Sequence, residues 1–229
     1  LYAVANKLIG RFGIGADLVA FLRQKLALPV SDKVEAKLTD ASNPFADYDL
    51  LGVLKGNLVE KFYIDATKEC PAISEVAEFT KENGIVLAYA YLGDVTASVT
   101  GDKKAQTFED SYLDELFEEI KRIGFNAVTY MPSRNTREQL ERVRALCDKH
   151  GLFQISGEDI NQPSQEFICK AMRDPFFANL YDAAWALIGH ELLASGELSK
   201  GMFSEETKRI HPDLTERIAY YRDAAKSKF

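Results

Sequence analysis

Residues 152–169 read LFQISGEDINQPSQEFIC, and this stretch decides the fold class. A short apolar run (Leu152, Phe153, Ile155) stops at Gly157, and Glu158, Asp159 and Asn161 follow at once. An amphipathic segment is expected to restart near Ser164. The pattern is a strand, a polar loop and a helix, with polar groups crowded just past the carboxyl end of the strand. In α/β proteins ligands bind at that position.

Two earlier stretches repeat the unit. Ile85 to Leu92 is an apolar run of strand length, followed by a polar loop and a helix whose stripe is Phe108, Tyr112, Leu113, Leu116, Phe117, Ile120 and Ile123. Gly124 closes that helix. Phe125 to Met131 is the next strand, Pro132 to Asn135 its loop, and Thr136 with Gln139 spells a capping box for a helix ending at Gly151. Three successive strand–loop–helix units imply parallel strands joined by right-handed crossovers. Before them, residues 1–65 read as helical. Asp17 and Ser31 are expected caps, and Leu50, Leu51, Leu54, Leu58, Val59 and Phe62 recur at helical spacing. After them, Asp174-Pro175 opens a nearly all-apolar helix expected to be deeply buried, and His211-Pro212 opens a last amphipathic one. The expected organisation is a helical segment over 1–65 and a βα region with C-terminal helices over 66–229.

Composition narrows the class. A chain of 229 residues with 46% hydrophobic and 28% charged content can bury a substantial core. A net charge of −7 argues against a general nucleic-acid binder but leaves room for a local basic pocket. No apolar run reaches the roughly 18 residues of a membrane span, and no signal peptide is visible. Cys70, Cys147 and Cys169 form no C-x-x-C pair and read as reduced thiols of a cytoplasmic protein, with Cys147 and Cys169 expected in the core. The chain starts at Leu1 directly in a helical pattern, so the natural protein is expected to extend further toward its N-terminus.

Parallel topology brings three loops to one end of the sheet. The first carries Asp94, Thr100, Asp102, Lys103 and Lys104, the two lysines fitting a solvated turn. The second carries Ser133, Arg134, Asn135 and Arg137, and the third Glu158, Asp159, Asn161 and Gln162. Carboxylates suit a divalent cation, while guanidinium groups and helix N-terminal amides suit phosphate. Ser133, Arg134, Asn135 and Arg137 are the phosphate-binding candidates, since they stand at a helix N-terminus; pairing of the arginines with Glu138 or Glu141 is the alternative. Asp159 is the leading catalytic or metal-ligating candidate, against a role as a helix cap. Tyr91, Asp94 and Thr129 complete the expected pocket. His150 complements a helix C-terminus. His190-Glu191 fails the H-E-x-x-H pattern and either lines a site or hydrogen-bonds in the core, while His211 reads as a turn residue.

With these units laid out, residues 70–172 resemble the PHP (polymerase and histidinol phosphatase) domain. Gly157-Glu158-Asp159-Ile160-Asn161 is similar to that family's closing Gly-Ser-Asp-x-His motif. Gly124 to Tyr130 is similar to its Gly-x-x-x-Ile-Glu strand, and Ile85 to Leu92 to the strand ending in Ala-His-Pro. The resemblance implies part or all of a distorted (βα)7 barrel and a metal-dependent phosphoesterase. Its divalent ions (Mn, Zn or Fe) would be held at the strand ends by Asp159, Asn161 and Glu158. The chain departs from the pattern at Asn161, Thr129, Tyr91 and Leu92, where the family has ligands. Asparagine and threonine are poor substitutes for them, so a domain without metal that binds a small phosphorylated ligand is the alternative reading. Open strand edges are expected to be covered by a second copy of the chain or by residues before Leu1.

Overall fold

The computed structural model describes residues 1–95, 107–161 and 163–229. The chain divides into two compact units. One contains Leu1–Thr67 together with the described residues of Ile160–Phe167; the other contains the remaining described residues, including the sheet.

The first unit is built from α1 (Tyr2–Phe12), α2 (Ala16–Gln24), α3 (Asp32–Thr39) and α4 (Ala46–Leu58). Leu18, Leu22, Leu38, Leu50 and Leu54, all fully enclosed, form its core with Ala5 and Val19. Ser31 caps α3 by accepting from the Val34 amide, as its residue type predicts. Asp17 is not a cap: it lies in the first turn of α2, where its charge meets the positive end of the helix.

The second unit opens with α5 (Ile73–Glu82) and contains β1 (Ala88–Ala90), α6 (Leu113–Ile123), β2 (Ala127–Tyr130), α7 (Arg137–His150) and β3 (Phe153–Ser156). It closes with α8 (Ala178–Ala194), α9 (Glu205–Ile210) and α10 (Leu214–Lys226). The strands are parallel in the order β1-β2-β3, with Ala127 opposite both Ala88 and Phe153. Side chains alternate across β2. Val128 and Tyr130 point to the core shared with Leu113, Phe117, Ile120, Leu140 and Val143, whereas Ala127 joins Phe153, Ala183, Ala186 and Tyr221 on the other face. Helices therefore cover both faces, as parallel strands require. The expected capping box is present, with Thr136 and Gln139 each satisfying the other's backbone amide. Gly124 and Gly151 both end their helices in the left-handed region.

The barrel expectation is corrected. Among the described residues the sheet has three short strands and does not close. The apolar run from Ile85 supplies only the three-residue β1, because Ile85 is spent on the end of α5, where its amide bonds to the Thr80 carbonyl. Among the described residues no α-helix follows β3 at Ser164; a 3-10 turn over Lys170–Arg173 is the next element. Phe108 and Tyr112 lie outside α6 and are exposed. The long apolar helix is buried on one face only. Leu180, Ala183, Ala186 and His190 are enclosed, while Tyr181, Ile188 and Leu192 face outward.

Within the second unit α8 and α10 pack backbone to backbone at Gly189. A Cβ on Gly189 would lie 1.9 Å from the Tyr221 carbonyl oxygen and 2.7 Å from its carbon, so only glycine lets these backbones meet. Gly189→Ala should therefore destabilise the protein by about 2 kcal/mol through overpacking, although alanine is the better helix former. Gly52→Ala, in α4 with open space around its Cβ, should not. Chemical denaturation of the two variants checks this, and equal stability of both would contradict the close contact.

Candidate functional site

Past β1 the chain turns through Tyr91, Leu92, Gly93 and Asp94, and two acids from the segment before α6 fasten the turn. Glu109 has no solvent exposure. Its Oε1 accepts from the Leu92 and Gly93 amides at 2.6 and 2.7 Å, and its Oε2 from the Tyr89 hydroxyl. Burial, and then that hydrogen bond, push the Tyr89 phenol well above its ordinary value. Asp110 accepts from the Tyr91 hydroxyl at 2.6 Å, from the Asp94 amide at 3.1 Å and from Gln139 Nε2 at 2.6 Å. Burial opposes its ionisation, but these donors and the charge of Arg142 hold its carboxyl below the usual range. Asp94 in turn accepts from the Phe108 amide at 2.6 Å. Gly93 has φ of 67°, and a Cβ there would lie 2.7 Å from both Asn135 Nδ2 and the Tyr91 hydroxyl oxygen.

The turn after β2 is tied to this network and to β3. Asn135 Nδ2 donates to the Leu92 carbonyl at 2.8 Å, and Arg134 Nε donates to the same oxygen at 3.2 Å. Ser133 donates from its amide to Glu158 Oε1 at 2.6 Å and from its hydroxyl to Oε2 at 2.7 Å. Both oxygens of one carboxylate are thus held where the sequence predicts a phosphate. After β3, the Gly157 amide donates to the Tyr130 carbonyl at 2.7 Å, and a Cβ on Gly157 would come within 3.3 Å of Thr129 Oγ1.

The sequence-predicted residues therefore divide. Tyr91, Asp94, Arg134 and Asn135 meet in one hydrogen-bonded network; Ser133 meets Glu158; Thr129 lies beside Gly157. Arg137 is directed elsewhere. It pairs with Glu141 and Asp174 at 2.9 and 3.0 Å and lies over the Phe176 ring. Asp159 is exposed and belongs to the second unit, whereas Asn161, also exposed, belongs to the first. Thr100, Asp102, Lys103, Lys104 and Gln162 lie outside the described residues. Sequence reasoning missed Glu109 and Asp110 and read Gln139 only as part of a capping box. Their partners at the site stand 16 to 45 residues away, and Glu109 and Asp110 read as ordinary acids at a helix start.

A divalent ion needs several carboxylate or imidazole ligands turned toward one point. Among the described residues no group of three His, Cys, Asp or Glu side chains is so arranged. Of the ligands the resemblance implies, Glu158 has both carboxylate oxygens engaged by Ser133 and does not fit the metal as it stands, and the nearby Glu109, Asp110 and Asp94 are likewise engaged with donors of the chain itself.

His190 is a core residue. It is buried, and its Nδ1 accepts from the Met202 amide at 3.0 Å. Burial lowers its pKa, against the opposing effects of Glu191 and a hydrogen bond with the Gly84 backbone. All three cysteines are free; Cys147 is enclosed and its thiol pushed up by burial, while Cys169 is only half-buried and Cys70 is exposed. No helix among the described residues is long and apolar enough to cross a membrane. No family model, curated protein or solved structure matches the chain. The resemblance to the PHP domain thus rests on the quoted motifs.

Two outcomes follow from this geometry. Glu109→Gln keeps the shape but loses the charge and one acceptor oxygen, so it should cost about 3 kcal/mol; denaturant unfolding within 0.5 kcal/mol of the parent would contradict the buried carboxylate. The second concerns pH. The folded state holds His190 neutral, with a pKa below the unfolded value of about 6.5. Its contribution is complete above that value and is lost as pH falls through it toward the folded pKa. Between pH 7.5 and 5.5 the parent should lose more stability than His190→Gln, and parallel losses would remove His190 from the pH dependence.

Proposed function

We propose that this chain is a cytoplasmic, non-catalytic domain that binds the phosphate group of a small ligand at the turn between β2 and α7. The observation that carries the reading is the grip of Ser133 on Glu158. An amide and a hydroxyl converge on two oxygens of one anion beside the amino end of α7. A phosphate group offers the same pair of oxygens with more charge. Arg134, fixed through its Nε, supplies a cation next to that position. Glu158 is then an internal competitor: it satisfies the donors when the site is empty of ligand and swings aside when phosphate arrives.

A metal-dependent phosphoesterase remains a different proposal, and the spent carboxylates weigh against it. Hydrolysis would require a cation to polarise the ester or activate water. The acids at the strand ends instead serve as acceptors for loop amides, which suits a rigid binding face.

Phenyl phosphate titrated into the isotope-labelled full chain tests the reading through the Ser133 amide resonance. Glu158→Ala should raise the affinity about tenfold by removing the competitor, and Ser133→Ala should lower it about tenfold through the loss of one charge-assisted hydrogen bond. A Ser133 amide that does not move, or three proteins of equal affinity, would refute the site.

A further inference from the structure

Helix α8 is apolar on every side, yet one side of it has no cover. Its 17 residues include two charged side chains, Asp182 and Glu191, and the eight residues between these carry no formal charge. Ala183 and Ala186 are enclosed in the core with Phe153 and Tyr221. On the opposite side Tyr181, Ile188 and Leu192 are 52%, 40% and 45% exposed, with Ala184 exposed and Trp185 half-buried among them. A helix that faces water normally carries polar residues on that side, and one that is apolar all round is buried. Tyr181, Trp185, Ile188 and Leu192 are spaced four, three and four residues apart. They form one continuous ridge with the seam spacing of paired helices.

Two polar groups at the ends of the ridge indicate what covers it. The Tyr181 hydroxyl has no hydrogen-bond partner among the described residues. Glu191 accepts from the Ser195 hydroxyl at 3.3 Å, and among the described residues no cation pairs with it. Asp182, by contrast, already pairs with Arg222 at 3.1 Å. Tyr181 and Glu191 are roughly 15 Å apart along one helix and cannot meet within it. A second α8 laid antiparallel along the ridge brings them together at both ends. In that register Tyr181 meets the partner's Leu192 and Trp185 meets the partner's Ile188, and a two-fold axis makes each contact twice. Helical side chains lean toward the helix N-terminus, which carries the Tyr181 hydroxyl past the partner's Leu192 toward the partner's Ser195. The bond from Ser195 holds the Glu191 carboxylate toward the same place. A parallel pair would set like beside like and keep phenol and carboxylate apart.

We propose that this chain forms a two-fold dimer through antiparallel pairing of α8, closed at each end by the Tyr181 hydroxyl donating to the partner's Glu191. The ridge offers on the order of 400 Å² of apolar surface per copy, the size of the largest patch on a typical monomer. Ala184, Glu191 and Ser195 extend the contact toward the roughly 800 Å² per partner of a standard interface. An interface at the small end of the range is weak, so the dimer dissociates at micromolar concentrations. The pairing is independent of phosphate binding at Ser133.

Sedimentation velocity of the full chain from about 1 to about 200 μM tests the dimer. The dimer fraction should rise across this range, and the emission of Trp185, the single tryptophan, should shift to the blue with it. Ile188→Glu and Leu192→Glu should each leave the chain monomeric throughout, with the parent's stability in denaturant, because both side chains face outward. Phe79→Glu, which charges an exposed apolar position on α5, should leave the dimer intact. Tyr181→Phe should weaken it about tenfold, since the lost hydrogen bond is made twice. A parent that stays monomeric at every concentration would overturn the proposal, and so would a dimer that survives both glutamate substitutions on α8 or one lost equally in Phe79→Glu. Parent affinity in Tyr181→Phe would overturn the antiparallel register. Should one of the two α8 variants not fold, the other decides.

Discussion

The fully enclosed carboxylate of Glu109 fixes the end of the sheet on which the functional reading depends. Three donors meet it: the Leu92 and Gly93 amides and the Tyr89 hydroxyl. Without an acceptor there, the turn after β1 would leave two backbone amides unpaired in the interior, a cost comparable to several hydrogen bonds. The turn so fixed presents the Leu92 carbonyl, which receives Asn135 and Arg134 and so sets the turn after β2. That turn orients Ser133 toward Glu158 and links the third strand end. The chain of dependence runs from one buried acid through three loops.

Acids at the carboxyl ends of parallel strands can serve two ends. They can point outward together and hold a cation, or turn inward and satisfy loop amides. Here Glu109, Asp110 and Asp94 turn inward. A network of this kind is rigid because every member has partners, and its removal leaves orphans on several segments at once. Rigidity serves recognition by fixed donors. It leaves no carboxylate pair poised for acid–base work among these three.

The repeating strand–loop–helix rhythm was legible because it is local. Gly124 and Gly151, the Thr136–Gln139 capping box and the apolar runs of β2 and β3 each announce themselves within a few residues. The parallel direction of the strands followed from the same rhythm. The extent of the sheet did not follow, since an apolar run such as Ile85 to Leu92 does not state how many of its residues pair and how many fill the helix end before it. Nor does amphipathic spacing after Ser164 distinguish a helix from turns that leave Phe167 and Ile168 exposed. The site was half legible. Ser133 was predicted as an anion-binding residue, yet its anion proved to be Glu158, a residue expected to face a metal. The roles of Glu109 and Asp110 depend on partners far along the chain, and nothing in their local sequence marks them. Gln139 is marked locally as half of the capping box, but its bond to Asp110 is not.

Amide hydrogen exchange in the unliganded parent protein addresses the central claim, that acids of the chain occupy the loop amides at the strand ends. The Leu92 and Gly93 amides should exchange as slowly as those of β2, and the Ser133 amide, held by the exposed side of the network, should be protected to a lesser degree. Exchange of Leu92 and Gly93 at the rate of an open loop would contradict the account, because it would mean that Glu109 does not hold the turn.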